Sequence, residues 1–378
     1  MMRWSSALSR RDEVPSALAE ILGQTADVRS PDLILLFTSG AHAGNLAAVA
    51  EALGTTFADA HLLGAVAAGV VGAGREVEGE PAISVTMAHL PGVSLEPMVL
   101  HPEDATWSVD RWRSAGRAER GLLILADPYS IDLAAQLPQM AAAFPEVPIV
   151  GGLGSPPADH VGARLVVDGR QQTGGAVALG LSGDVVVSTC VAQGCRPLGM
   201  PMFVTRCEGN RIFELDGRPV IEVIQELHAS LDPVGQALLG RSLFLGVQMR
   251  DQTEYAQGDF LIRNVIGIAV DPAALVVATL PERFQVVQFH VRDERAARED
   301  LERVLAASSA TPEGAFLVSC VGRGQGLFGE PNHDSARFAE RFGDVPLGGF
   351  FANGEVGPVQ GLPYVHGYTS VFALFSAP

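Results

Sequence analysis

The sequence predicts an α/β fold of mixed α+β character, in which repeated strand–helix–strand–strand units form mixed β-sheets covered by outer helices. Three observations carry this expectation. The same plan, an apolar strand, a turn, a helix, a second strand ending in glycines and a closing strand, recurs three times. The first strands are short apolar runs such as LILLF from Leu33 and GLLILA from Gly121, as strands buried on both faces require. The helical segments between them place their apolar residues on one side.

Residues 1–30 are expected to form a helical lead-in. Copy one runs from LILLFTSG (33–40) through NLAAVAEALG, where Leu46, Val49 and Leu53 share a face, to HLLGAVAAG (61–69) and AISVTMAHL (82–90). Copy two runs from LLILADPYS (122–130) through a helix faced by Leu133, Leu137, Met140 and Phe144 to PIVGGLGSP (148–156) and GGAVALGLS (174–182). Ser130 is its expected N-cap, and Pro138 kinks or delays it. Copy three runs from AFLVSCVGRG (315–324) through HDSARFAERFG to PLGGFFANG (346–354) and GYTSVFALF (367–375). There Asp334 is the expected cap, Phe338 stacks on Phe342, and Gly343 ends the helix. First and second strands begin about 30 residues apart in every copy.

Residues 186–310 depart from the plan. RIFELDGRPVIEVIQEL reads as a strand, an Asp-Gly turn and a helix opened by Pro219. DFLIRNVIGIAV (259–270) and RFQVVQFHV (283–291) read as strands, and ERAAREDLERVLAA (294–307) as an amphipathic helix with a solvated Arg/Glu face. A boundary near 219 divides the chain into domains of 31–219 and 220–376.

Composition narrows the chemistry. The 378 residues are 47% hydrophobic and 18% charged, as in globular proteins. Acidic residues number 43 against 26 basic, and every one of the latter is arginine. The absence of lysine removes Schiff-base and P-loop lysine chemistry. The net charge of −17, with no basic run, argues against nucleic acid and anionic membrane as partners. No apolar run approaches the ~20 residues of a membrane span, and the N-terminus lacks a signal-like apolar stretch, so the expectation is cytoplasmic. Cys190, Cys195, Cys207 and Cys320 have no C-x-x-C spacing and are expected to be reduced thiols.

The chemistry-bearing cluster is SCVGRGQGLFGEPNHD (319–334). Gly324, Gly326 and Gly329 spell G-x-G-x-x-G after a strand, but Glu330, Pro331 and Asn332 intervene before the helix, which is wrong for a dinucleotide site. Arg323 between Gly322 and Gly324 suits bidentate recognition of a carboxylate, or pairing with a local acid. Cys320 with His333 and His366 raises nucleophilic catalysis. Cys320, His333, His366 and Glu355 lack metal-ligand spacing. In GGFFANGEVGP (348–358), glycines permit close backbone approach, or tight strand packing alone, while Phe350 and Phe351 alternate between faces.

Several segments together resemble the FIST family, the paired N- and C-terminal domains associated with intracellular signal transduction. They are QGCRPLG (193–199), VTRCEGNRIFELDGRPV (204–220), DFLIRNVIGI (259–268), CVGRGQGLFGEPNHD (320–334) and GGFFANGEVGP…YVHGYTSVFALF (348–375). The resemblance covers about 31 to 376 and implies a sensory module that binds a small ligand, with amino acids as the proposed class, and signals through a separate protein partner. No cofactor is implied. By motif match, Arg323, Asn353, Glu355 and His366 become pocket candidates and Gly322, Gly324 and Gly354 shape-setters, with Phe350 or Phe351 as an apolar wall. Copy one departs from the pattern: GAVAAGVV has Ala67, Ala68 and Val70 where the family tends to carry polar residues, so this half is more apolar. Two other readings stay open: a Cys/His-dependent hydrolase or transferase, and a ligand-free interaction scaffold.

Overall fold

In the computed structural model, which describes residues 1–101, 119–156 and 162–378, the three sequence copies share one strand plan. Copy one comprises β1 (Arg3–Ser9), α1 (Val14–Gln24), β2 (Leu33–Ser39), α2 (Leu46–Thr56), β3 (His61–Ala67), β4 (Gly69–Gly72), β5 (Arg75–Glu78) and β6 (Ile83–His89). Copy two comprises β7 (Val93–Leu100), β8 (Glu119–Ala126), α3 (Leu133–Ala143), β9 (Ile149–Leu153), β10 (Arg164–Val167), β11 (Arg170–Thr173) and β12 (Ala176–Gly183). Copy three opens with β13 (Val186–Gln193) and is then interrupted. The insertion carries β14 (Cys195–Glu208), β15 (Arg211–Leu215), β16 (Arg218–Pro219), α4 (Val220–Ser230), α5 (Pro233–Ser242), β17 (Leu243–Gln248), β18 (Phe260–Val270), β19 (Ala273–Val277) and β20 (Val286–Arg292). Copy three resumes with α6 (Glu294–Ala307), β21 (Gly314–Cys320), α7 (Gly324–Phe328), α8 (His333–Phe342), β22 (Leu347–Ala352), β23 (Glu355–Val359), β24 (Leu362–His366) and β25 (Thr369–Ser376).

Each copy pairs its first strand parallel to its second and antiparallel to its closing strand: β2 with β3 and β6, β8 with β9 and β12, β21 with β22 and β25. The hairpin after each second strand leaves its own sheet. β4 pairs with β22, β10 with β3, and β23 with β9. This cyclic exchange gives three six-stranded sheets of the same order, β1-β6-β2-β3-β10-β11, β7-β12-β8-β9-β23-β24 and β13-β25-β21-β22-β4-β5.

The same register explains the second-strand glycines. Gly64, Gly151 and Gly349 lie opposite Leu36, Ile124 and Leu317 of the adjoining parallel strands. A Cβ at these positions would lie 2.2, 1.8 and 1.9 Å from the partner carbonyl oxygens, so only glycine lets the strands meet.

Side chains from all three sheets fill one inner core, among them Leu35 and Phe37, Leu123 and Leu125, Phe316 and Val318. Phe350 belongs to it, with its ring centroid 4.6 Å from that of Phe37. Helices cover the outer faces. Leu46, Val49 and Leu53 of α2 pack on the first sheet, and Leu133, Leu137 and Met140 of α3 on the second. On α8, Phe338 stacks on Phe372 at 5.6 Å.

Several local expectations change. Residues 3–9 are a strand paired with β6 rather than part of a helical lead-in, and only α1 is helical there. Met2, Trp4 and Leu8 face the inner core and Ala7 the outer one, a period of two that the intervening serines disguise. The cap of α3 is Asp132, which accepts from Ala135 N, whereas Ser130 Oγ accepts from Gly175 N. Asn332, not Asp334, occupies the cap position of α8, and Gly343 closes that helix with a positive φ. Pro219 is the N-cap of α4, one residue before its first turn.

Contacts group the chain into two units: residues 1–191, 301–365 and 369–378, and residues 192–300 with 366–368. The expected boundary at 219 therefore falls inside the second unit. Within that unit β14 pairs with both β20 and β15, so the antiparallel strands close into a ring. Its core joins Leu198, Leu245 and Phe289 to Val220 and Val223 of α4.

Candidate functional site

A buried cluster of charge gathers where β21 turns through α7 into α8. Arg323, His333, Asp334, Glu76 and Glu355 all belong to the first unit, and none is more than 6% exposed. The Asp334 carboxylate is its centre. Arg323 donates to it from Nε (3.0 Å) and Nη2 (2.9 Å), Ser319 Oγ donates at 2.9 Å, and Ser370 Oγ also donates. His333 Nδ1 lies 2.9 Å from Oδ1, which an ionised carboxylate can only accept, so this nitrogen carries the proton. Burial opposes ionisation of Asp334, but Arg323 and the hydrogen bonds from His333, Arg323 and Ser370 outweigh it and hold this carboxyl well below the usual range.

Three further acids converge. Glu76 and Glu78, carried on β5 from copy one, reach the turn through the exchanged hairpin. Glu76 Oε1 accepts from Ser335 N at 2.6 Å, and Glu78 Oε1 accepts from Gln325 N at 2.9 Å. Burial, then the Asp334 charge, pushes Glu76 up to about 8. Burial also raises Glu78. Glu355, at the start of β23, accepts from Thr369 N at 3.1 Å. Its burial raises it to about 8, against opposing hydrogen bonds from Thr369 N and the Cys320 thiol and the Arg323 charge.

The turn is thus self-occupied in part. A Cβ on Gly324 would fall 2.3 Å from a Glu78 oxygen, so the glycine admits the chain's own carboxylate. Gly329 is the left-handed cap of α7, not a residue in the first turn of a long helix, which removes the dinucleotide geometry. The bidentate edge of Arg323 holds Asp334 rather than standing open.

What remains open are single atoms. Among the described residues, Arg323 Nη1, His333 Nε2, Glu76 Oε2 and Glu355 Oε1 are buried without a hydrogen-bond partner. Such atoms are costly to bury empty, roughly 1–3 kcal/mol each and more where charged. The His333 ring stacks on Phe328 with centroids 3.4 Å apart, and the Arg323 guanidinium lies 5.2 Å from the same ring.

The other expected site residues divide. Asn353 is exposed although Glu355, two residues on, is fully buried, so the two do not present a common face. Phe350 packs in the inner core, and Phe351 is also buried. Gly354 has φ +135°, and a Cβ there would meet Leu153 at 2.8 Å. Gly322 N donates to Cys320 Sγ at 3.3 Å. His366 is buried and grouped with the second unit. Sequence reasoning missed Glu76, Glu78, Ser319 and Ser370, and gave Asp334 only a capping role. The acids of REVEGE (75–80) carry no motif, and only the hairpin exchange brings them here.

Two family models together match most of the chain. The FIST N domain matches residues 32–218 and the FIST C domain residues 221–358. The chain belongs to the FIST family, whose domains are associated with signal transduction and ligand sensing. It is 34% identical over 382 residues to an uncharacterized protein of Mycobacterium tuberculosis, covering 99% of this chain and 100% of the relative. An uncharacterized protein of Mycobacterium bovis is 32% identical over 384 residues, with 99% of each covered. F-box only protein 22 of Homo sapiens is 34% identical over 130 residues, 29% of this chain and 30% of its own length. Among the described residues no helix is long and apolar enough to cross a membrane.

Proposed function

We propose that the chain is a cytoplasmic sensory module that binds a small zwitterion, an amino acid in the simplest case, at the Asp334 cluster and passes the signal to a separate protein. The observation that carries this reading is the set of buried unpaired atoms of both characters. Arg323 Nη1 and His333 Nε2 suit a carboxylate, while Glu76 Oε2 and Glu355 Oε1 suit an ammonium. Asp334 serves as the internal anchor that fixes Arg323 and the His333 tautomer. Entry runs past α7, a five-residue helix between Gly324 and Gly329, both at positive φ.

Native mass spectrometry beside the denatured spectrum tests this reading first, followed by thermal-shift titration with amino acids. A mass lost on denaturation, or saturable stabilisation abolished by Glu355→Gln and Arg323→Ala, is the expected result. Stabilisation unaffected by Glu355→Gln in folded protein would overturn it. Affinity should rise with pH up to about 8, because an incoming ammonium favours the ionised form of Glu355 and Glu76 and displaces their protons.

The oriented His333–Asp334 pair also supports a second reading, a hydrolase or transferase with Cys320 as nucleophile. It requires Cys320 to alkylate faster than Cys190, Cys195 and Cys207 in the folded protein. Equal or slower reaction would remove it.

A further inference from the structure

The second unit contains a cavity of about 710 Å³, within the range of small-molecule sites. Two departures from regular strand geometry build it. In β14 the register shifts between Leu198 and Met202, next to Gly199 at φ +64°, and this bulge directs Met200 and Phe203 to the cavity. Across from them Phe284 holds φ +70°, an unfavourable conformation for a bulky side chain, and remains 61% exposed at the cavity wall. Met200 is 77% and Phe203 52% exposed, so three large apolar side chains line the space without being packed away. Strain and apolar exposure thus coincide at one place, where neither serves the core.

The polar lining has one sign. Gln248 is satisfied internally: its Oε1 accepts from Tyr255 OH (3.1 Å) and Val286 N (2.8 Å), and its Nε2 donates to Asp251 Oδ1 at 2.5 Å. Glu254 has no hydrogen-bond or ion-pair partner among the described residues, and no lysine, arginine or histidine lines the cavity. The neighbouring Arg283 stacks on one face of Phe284, 4.7 Å from its centroid, which shows a cation already accommodated by this ring. Methionine walls add adaptable shape.

We propose that this cavity is a second ligand site, for an organic cation that joins an ammonium group to an aryl or alkyl body. The body lies against Met200, Phe203 and Phe284, and the ammonium faces Asp251 and Glu254. Among the lining residues a carboxylate-bearing ligand of the same shape would meet two acids and no base, and the neighbouring Arg283 is already stacked on Phe284.

Isothermal titration of the full chain with phenethyltrimethylammonium, and in parallel with 4-phenylbutyrate, tests the assignment. Expected is saturable binding of the cation at least about tenfold tighter than that of the anion, a difference of about 1.4 kcal/mol. Phe284→Ala, and separately Asp251→Asn with Glu254→Gln, should each weaken the cation about tenfold or more, with circular dichroism unchanged. These exposed positions allow the variants to fold. No saturation with the cation, equal binding of the two probes, or cation binding indifferent to the double acid variant would each overturn the proposal.

Discussion

The turns after β2 and β21 occupy the same place in two copies of one unit, yet they are built from different chemistry. Register makes Thr38 the counterpart of Ser319 and Ser39 that of Cys320. In copy one, Ser39 Oγ accepts from Ala82 N, and buried His42 is held by Arg11 O and Asn45, each at 3.0 Å. These are contacts to backbone or to a neutral amide. In copy three the corresponding turn concentrates Arg323, Asp334, Glu355 and His333, and copy one lends it Glu76 and Glu78. The strands either side are alike in pairing and in their obligatory glycine. The charge is therefore not something the scaffold needs, since copy one folds to the same plan without it. That difference is the reason for proposing the ligand site at the third turn rather than the first.

The largest expected effect tests the shared part. Gly64→Ala and Gly349→Ala each put a Cβ against a backbone carbonyl, at 2.2 and 1.9 Å, and backbone cannot swing aside as a side chain can. Both should destabilise by roughly 4 kcal/mol or more, or prevent folding. Chemical denaturation measures this. A tolerated alanine in one copy but not the other would break the equivalence on which the comparison rests.

Next comes the divergent part. Asp334→Ala leaves Arg323 buried and uncompensated and should cost about 3–5 kcal/mol. Asn45→Ala in copy one removes one hydrogen bond to His42 and should cost about 1 kcal/mol. Similar losses at the two sites would mean that the buried charges of copy three are no more than another form of packing.

A smaller effect separates the two turns by pH. Glu355 and Glu76 stand at about 8 in the folded protein against an ordinary 4.5. The folded state then binds more protons than the unfolded chain between these values, so their contribution to stability is complete below about pH 4.5, falls as pH rises, and levels off above about 8. Glu355→Gln should flatten the decline in melting temperature across that window. An unchanged slope would place ordinary, solvated carboxylates in the cluster.

How much of this was legible in the sequence follows from what each feature depends on. The three first strands, the helix faces of Leu46/Val49/Leu53 and Leu133/Leu137/Met140, and the Gly343 stop are local patterns, and they were visible as such. The role of Gly64, Gly151 and Gly349 depends on which carbonyl lies opposite, which a single strand does not reveal. Arg323 was visible as a candidate because glycines frame it. Its partner was not, because Asp334 also satisfies the local signature of a helix cap, and only the fold decides between capping α8 and anchoring Arg323. Glu76 and Glu78 were least legible of all, since a two-residue hairpin carries them from one copy to another's sheet.

Those hairpins give the finest comparison. All three turn through two residues at positive φ, Ala73-Gly74, Asp168-Gly169 and Gln360-Gly361. Such turns favour Asn or Asp before the glycine, because these residues adopt the left-handed conformation most readily. Asp168 fits, and it does more: its carboxylate accepts from Leu62 N at 2.9 Å and lies 2.9 Å from His61 Nδ1, fixing the exchanged hairpin on β3. This contact, with burial opposing it, raises the pKa of His61. Ala73 has no side chain to do either. Ala73→Asn should therefore stabilise the protein by about 0.5 kcal/mol through conformational preference alone. Asp168→Ala should cost about 1 kcal/mol or more by losing preference and contact together. The gain at Ala73 matters more than its size suggests, because that hairpin delivers Glu76 and Glu78. If Ala73→Asn raises the melting temperature without changing the pH slope set by Glu76 and Glu355, the hairpin is a passive carrier of its acids. A slope that changes with it would make the turn part of how the cluster is tuned.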